Sequence, residues 1–179
     1  LVLTGPSGTG NVTLDQAPPY QDGVVVLLDF EDATGACAAN GTPGTHDLAT
    51  GNIPEGDWDT LTFTVGVPFD DNHRPVDASS PPLDVRPLFR NAQTGRTFVR
   101  VDVALGDGIP GDPLYPVQVV SRDCDSDGAT DAPDVPCDKP GLARISVPYD
   151  PFAGDVVRFD VHDFLSGTDL TTNSASSPT

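Results

Sequence analysis

A chain of 179 residues is long enough to bury a core as one domain, and its formal charge is 9 − 27 = −18. Glu31 and Glu55 are its only glutamates and Lys139 its only lysine, so the acidity is almost all aspartate. Such a surface repels nucleic acid and anionic lipid, which need phosphates neutralised by Lys and Arg. It suits divalent cations, a basic partner or a salty medium, and equally serves as a plain solubilising coat.

The chain opens at Leu1 without a Met, inside a strand-like Leu-Val-Leu. A signal peptide and a further N-terminal segment are therefore expected to precede it. After the first strand, Leu1–Thr4, comes Gly5-Pro-Ser-Gly-Thr-Gly10, which resembles the start of a phosphate-binding loop. Asn11 and Val12 then stand where the phosphate-reaching Lys and the magnesium-holding Ser/Thr are required. The hexapeptide is a hairpin turn. Further strands are expected at Val12–Leu14, Val24–Phe30 and Thr60–Val67. Val24–Leu28 is uniformly apolar and reads as a central strand covered on both faces. Leu61, Phe63 and Val65 instead alternate with Thr, the period of a half-buried strand.

Leu83–Phe89 admits a helical turn, followed by strands at Thr97–Ala104, Tyr115–Val120, Ala143–Val147 and Val156–Val161. Val161–Ser166 admits a second helical turn, and the Ser/Thr-rich tail, 171–179, is expected to be disordered. The 18 Gly and 19 Pro leave no room for a long helix, and no apolar run approaches the roughly 20 residues that span a bilayer. No membrane insertion is expected. About eight short antiparallel strands with long loops predict an all-β sandwich or jelly roll, a single domain over 1–170.

Of three cysteines, Cys124 and Cys137 flank a polar loop and read as a disulfide formed in an oxidising compartment. Cys37 is left over, as a buried free thiol or as half of a bridge to a cysteine outside this segment. The loop itself runs Asp123-Cys-Asp125-Ser-Asp127-Gly128-Ala129-Thr-Asp131-Ala-Pro-Asp134. Counted from Asp123, acids occupy positions 1, 3, 5, 9 and 12, with Gly at 6 and the Ala129 carbonyl at 7. That is the grammar of a calcium loop, in which hard oxygens turn inward and Gly makes the bend. No helices flank it, so it resembles thrombospondin type 3 or dockerin loops rather than a sensor hand. The plainer alternative is an Asp-rich solvent loop. A Cys124–Cys137 bridge around it would contribute ~3 kcal/mol and favour a structural ion.

His46, His73 and His162 lack metal-pair spacing; His73, just beyond an apolar strand, is the candidate ligand among them. No nucleophile elbow occurs, and nothing in the sequence compels catalysis.

Four stretches together carry a family resemblance. They are Val26–Cys37 followed by Asn40-Gly-Thr-Pro; Ile53–Phe69 with Asn72-His73; Pro82–Phe89 leading to Phe98–Asp102; and Gly154–Asp160 with Leu165–Leu170. In this order and spacing the chain resembles the MbnP-like family of metallo-mystery-pair, four-Cys-motif proteins, related to the secreted copper proteins MopE and CorA. The resemblance implies a periplasmic or cell-surface β-sandwich partnered by a di-haem, MauG-like protein. In studied members of that family the partner converts a tryptophan to kynurenine, which helps histidines bind copper. It also implies that Cys37 pairs with a cysteine in an N-terminal segment outside this chain, and Cys124 with Cys137. The chain departs from the family pattern in three places. Arg90-Asn91 replaces a Trp-containing segment, Gln118 stands where His is common, and Trp58, the only Trp, replaces a Tyr. The Asp123–Asp134 loop reads as an insertion.

The sequence thus leads to an exported, non-enzymatic metal-binding protein of the periplasm or cell surface. Calcium would be held by Asp123, Asp125, Asp127, Ala129, Asp131 and Asp134, with a weaker copper role for His73. The alternative is a structural subunit of an extracellular assembly that has lost the copper site.

Overall fold

The computed structural model describes residues 1–39, 41–104, 106–109 and 111–168. Nine strands occur among them: β1 Val2–Gly5, β2 Gly8–Asn11, β3 Thr13–Leu14, β4 Gly51–Asn52, β5 Thr60–Val65, β6 Phe89–Asn91, β7 Gly95–Ala104, β8 Leu114–Val120 and β9 Ala143–Pro148. Two short helices, α1 Phe69–Asn72 and α2 Val161–Leu165, complete the regular elements with three 3-10 turns. The protein is all-β, and every strand pair with a resolved register is antiparallel. The tail expected at 171–179 lies outside the described residues.

The chain divides into two compact units. The first takes Leu1–Val12, Ile53–Thr64 and the chain from Arg144 onward. Its sheet has the order β2-β1-β5-β9. Gly5 pairs with Gly8 across Pro6-Ser7, so the glycine-rich hexapeptide is indeed a hairpin turn. Leu3, paired with Leu61, is 1% exposed. Thr62 and Ser146 join their hydroxyls across β5 and β9 at 2.8 Å. Trp58 is buried, its indole N–H donating to the Pro54 carbonyl at 3.0 Å. Gly10 makes room for it: a Cβ there would stand 2.6 Å from Pro54 Cγ and 2.9 Å from the indole ring.

The second unit takes Thr13–Asn52 and Val65–Ala143. Its main sheet, β6-β7-β8, is built on β7, which pairs with β8 from Thr97↔Val120 to Ala104↔Leu114 around an irregularity between Thr97 and Val99. Pro116 is tolerated because β8 is an edge strand in this sheet. Val67, Val76, Leu83, Val117 and Cys137 form the buried apolar set. The small pair β3–β4 is tied down by Gln21, which is 1% exposed. Its amide donates to the Asp15 and Thr50 carbonyls at 2.8 and 2.7 Å and accepts from Thr50 N–H at 3.0 Å.

Two expected strands are absent. Val24 lies in a bend, and Val26–Phe30 makes only isolated bridges, Gln21↔Val26 and Asp29↔His46, with Val24, Leu28 and Phe30 exposed. A uniformly apolar run becomes a doubly buried strand only where other elements pack on both of its faces, and the exposure of Val24, Leu28 and Phe30 shows that here they do not. Likewise, 155–160 carries no regular structure before α2, and Val156, Val157 and Phe159 are exposed. The helical turns fall as expected, at Arg86–Leu88 and Val161–Leu165. Asp160 caps the latter by accepting from Asp163 N–H at 3.1 Å.

Candidate functional site

The expected Cys124–Cys137 disulfide is present, and it closes the Asp123–Asp134 loop at its base. Just outside the bridge, Arg122 and Lys139 exchange backbone hydrogen bonds at 2.8 and 3.2 Å, and Asp138 N–H donates to the Asp123 carbonyl at 3.1 Å. Gly128 has φ +150°, a conformation other residues rarely take, so the bend expected at this glycine is present. Asp123 also has positive φ, +55°, which aspartate tolerates better than most residues.

The six oxygen donors are not equivalent. Asp123 pairs with Lys139 Nζ at 2.6 Å. The hydrogen bond and positive charge of Lys139 hold its carboxyl below the ordinary aspartate range. The Ala129 carbonyl accepts Ala92 N–H at 3.1 Å, which leaves it one lone pair. Asp125, Asp127, Asp131 and Asp134 are exposed. They do not converge: among the described residues, the one group of three side chains with ligand atoms within 4.8 Å of one another is Asp160, His162 and Asp163 on the exposed α2 end. The loop therefore offers hard oxygens on a clasped scaffold, in an open arrangement.

His73 lies in the same unit, immediately after α1, and is 4% exposed. Its Nδ1 faces the Ala92 carbonyl at 2.9 Å and its Nε2 faces Asn72 Nδ2 at 3.1 Å. A carbonyl only accepts, so Nδ1 carries the proton. The Asn72 amide is oriented by its neighbours. Its Oδ1 accepts Arg96 N–H at 2.7 Å, and its Nδ2 donates to Ser121 Oγ at 3.2 Å as well as to His73. Ser121 in turn donates to the Pro140 carbonyl at 2.8 Å. Each donor thus meets an acceptor, and the imidazole is neutral in the Nδ1–H form. Cys137 Sγ stands 3.9 Å from His73 Nε2, bringing the disulfide against this network.

Asn72 can lie this close to the start of β7 because residue 95 is glycine. Gly95 has φ +77°, and a Cβ there would stand 2.5 Å from the Asn72 amide atoms. Arg96, only 3% exposed, completes the construction. It donates to the Leu83 carbonyl from Nε at 3.0 Å and Nη2 at 2.7 Å, to the Asn72 carbonyl at 2.9 Å, to Ser79 Oγ at 2.9 Å and to the Asp71 carbonyl. Its guanidinium lies over Phe89, 5.3 Å from the ring centroid. Burial lowers its pKa, with the Asp71 carboxylate opposing. The segment Asp71–Leu83 is therefore pinned to β7 by one arginine. The sequence places Arg96 beside the Asn91–Gly95 turn at the start of a strand, but gives no sign that it points inward.

Of the other candidates, His46 stacks on Tyr20 with centroids 4.5 Å apart and planes 8° off parallel. Cys37, in a 3-10 turn, is half-buried and outside the described disulfide.

An all-β protein thus carries a disulfide at the base of an exposed acidic loop, with a buried, fully bonded histidine against that disulfide. The chain belongs to the MbnP family, whose model matches residues 2–178. Among solved structures it is similar to MbnP from Methylosinus trichosporium, at 27% identity and a TM-score of 0.61, over 84% of this chain. The match covers 58% of that relative's own length. No curated protein matches the chain.

Proposed function

We propose that this MbnP-family chain is a non-catalytic, exported metal-binding protein in which calcium has a structural role. The reading rests on one observation: four carboxylates and the Ala129 carbonyl lie between disulfide-linked cysteines, with Asp123 just before the first of them, and all five carboxylates are exposed. In the metal-bound form Asp123, Asp125, Asp127, Ala129, Asp131 and Asp134 close on the ion, and the clasp shortens the excursion each must make. Family membership supports export to the periplasm or cell surface and a di-haem, MauG-like partner. His73 is the candidate copper ligand.

Calcium titration followed by calorimetry and thermal melting tests the calcium reading. Calcium should raise the melting temperature of the wild type and leave Asp125→Ala unmoved. A melting temperature indifferent to calcium in both would end it.

A second reading is a structural subunit of an extracellular assembly that has lost copper. It is favoured by His73, since a copper ion at either ring nitrogen would displace Asn72 or the Ala92 carbonyl. Metal analysis separates the two. Near-stoichiometric copper lost in His73→Ala supports the copper role; calcium without copper supports the subunit.

A further inference from the structure

The stretch Val24–Phe30 has one satisfied edge and one open edge. Leu27 N–H donates to the Tyr20 carbonyl at 2.8 Å, and Asp29 exchanges two backbone bonds with His46 at 2.7 Å each. In an extended chain the groups of Val26, Leu28 and Phe30 then point the opposite way. Among the described residues they find no hydrogen-bond partner. The side chains of this set are apolar and displayed, Leu28 at 47% and Phe30 at 69% exposure. An open edge with apolar side chains is a template for another strand.

The charges say which strand. A second copy would bring another −18 to the contact, so self-pairing is opposed. Asp29 lies on the alternate face of the edge, where a directly opposite basic residue is favoured and a like charge is disfavoured. Where the edge begins, Asp22 and Val24 line a cavity of about 440 Å³ with Asp71, Arg74, Pro81 and Leu83. Asp22 spends one carboxylate oxygen on Val24 and Val25 N–H, at 2.7 Å each. Asp71 spends one on Arg74 at 2.9 Å. The second oxygen of each has no partner among the described residues, beside an apolar wall suited to an aliphatic stem.

We propose that the Val26–Phe30 edge docks an extended segment of a partner polypeptide in which apolar and basic residues alternate. The apolar residues pack on Leu28 and Phe30, one basic residue faces Asp29, and a terminal Lys or Arg enters the cavity between Asp22 and Asp71. This inference is independent of the metal reading.

A short synthetic peptide of alternating valine and lysine is the probe, with a serine–lysine peptide of equal charge as control, titrated calorimetrically onto the full chain. The valine–lysine peptide should bind and the control should not. Leu28→Pro should weaken binding at least about tenfold while leaving the thermal melt in place, because the Leu28 N–H it removes bonds to nothing among the described residues. Phe30→Ser, at an exposed position, should weaken binding in the same direction and serves if Leu28→Pro fails to fold. Equal binding of both peptides would reduce the effect to bulk electrostatics and overturn the proposal. So would a concentration-dependent dimer, in sedimentation, abolished by Leu28→Pro, since it would give the edge to a second copy. Binding indifferent to Phe30→Ser would also overturn it.

Discussion

Asn72 and His73, adjacent in sequence, fix one another: the Asn72 amide donates to His73 Nε2 at 3.1 Å, and Arg96 N–H at 2.7 Å prevents that amide from flipping. Asn72→Leu would leave two buried groups without their partner, the Arg96 N–H and His73 Nε2, while the Ser121 hydroxyl keeps its bond to the Pro140 carbonyl. At about 1–3 kcal/mol for each group so stranded, the variant should lose about 2 kcal/mol or more. Urea unfolding measures this, and nitrogen NMR of the wild-type imidazole should report the Nδ1–H tautomer. An Nε2–H tautomer would mean that the network is wired differently.

How this network forms marks the limit of what the sequence discloses. The period-two alternation in Leu61–Val65 located β5, and the cysteines flanking a polar loop gave the disulfide, because both signals are local. The role of His73 is set by the carbonyl of Ala92, nineteen residues away, and by an amide oriented from β7. Arg96 and Gln21 were invisible for the same reason. Their partners are backbone carbonyls, which every residue has, so no pattern of side chains announces them. Val24–Phe30 misled in the opposite sense, since apolarity records the need for cover and not whether the fold supplies it on both faces.

The ion pair between Lys139 and Asp123 competes with any cation for the first oxygen of the acidic loop. Lys139→Met should therefore bind calcium about two- to fivefold more tightly at neutral pH, the size expected for releasing an exposed pair. Its Asp123 carboxyl should return upward toward the ordinary aspartate range, because the hydrogen bond and charge that lowered it are gone. Calcium titrations at neutral and mildly acidic pH check both effects. Weaker calcium binding in the variant would show instead that Lys139 supports the loop's geometry.

Glu31 predicts an acid-side loss of stability. Burial disfavours its charged form, but hydrogen bonds from the backbone and hydroxyl of Thr42 and from Ala33 N–H outweigh that, and the pKa is lowered. A depressed carboxyl contributes stability that is fully present above its unfolded value, ~4.3, and is lost as pH falls through the lower folded value. Wild type should therefore exceed Glu31→Gln in stability at neutral pH, with the gap closing below that range. Parallel denaturant titrations across acidic pH measure it. A gap that widens on acidification would contradict the assignment.

Arg96 should tolerate no cation of different shape. Its guanidinium reaches the carbonyls of Asp71, Asn72 and Leu83 and the Ser79 hydroxyl together, a fork that a lysine ammonium, with three donors at one point, cannot match. Arg96→Lys keeps the charge yet strands at least one buried carbonyl and loses the planar stack over Phe89. The expected cost is about 2–4 kcal/mol. Because the same side chain pins Asp71–Leu83 to β7, the loss should be accompanied by faster amide exchange in that segment, with Gln21 and its partners at β3–β4 unaffected. Hydrogen-exchange mass spectrometry separates this local release from general destabilisation, in which both regions would exchange faster together.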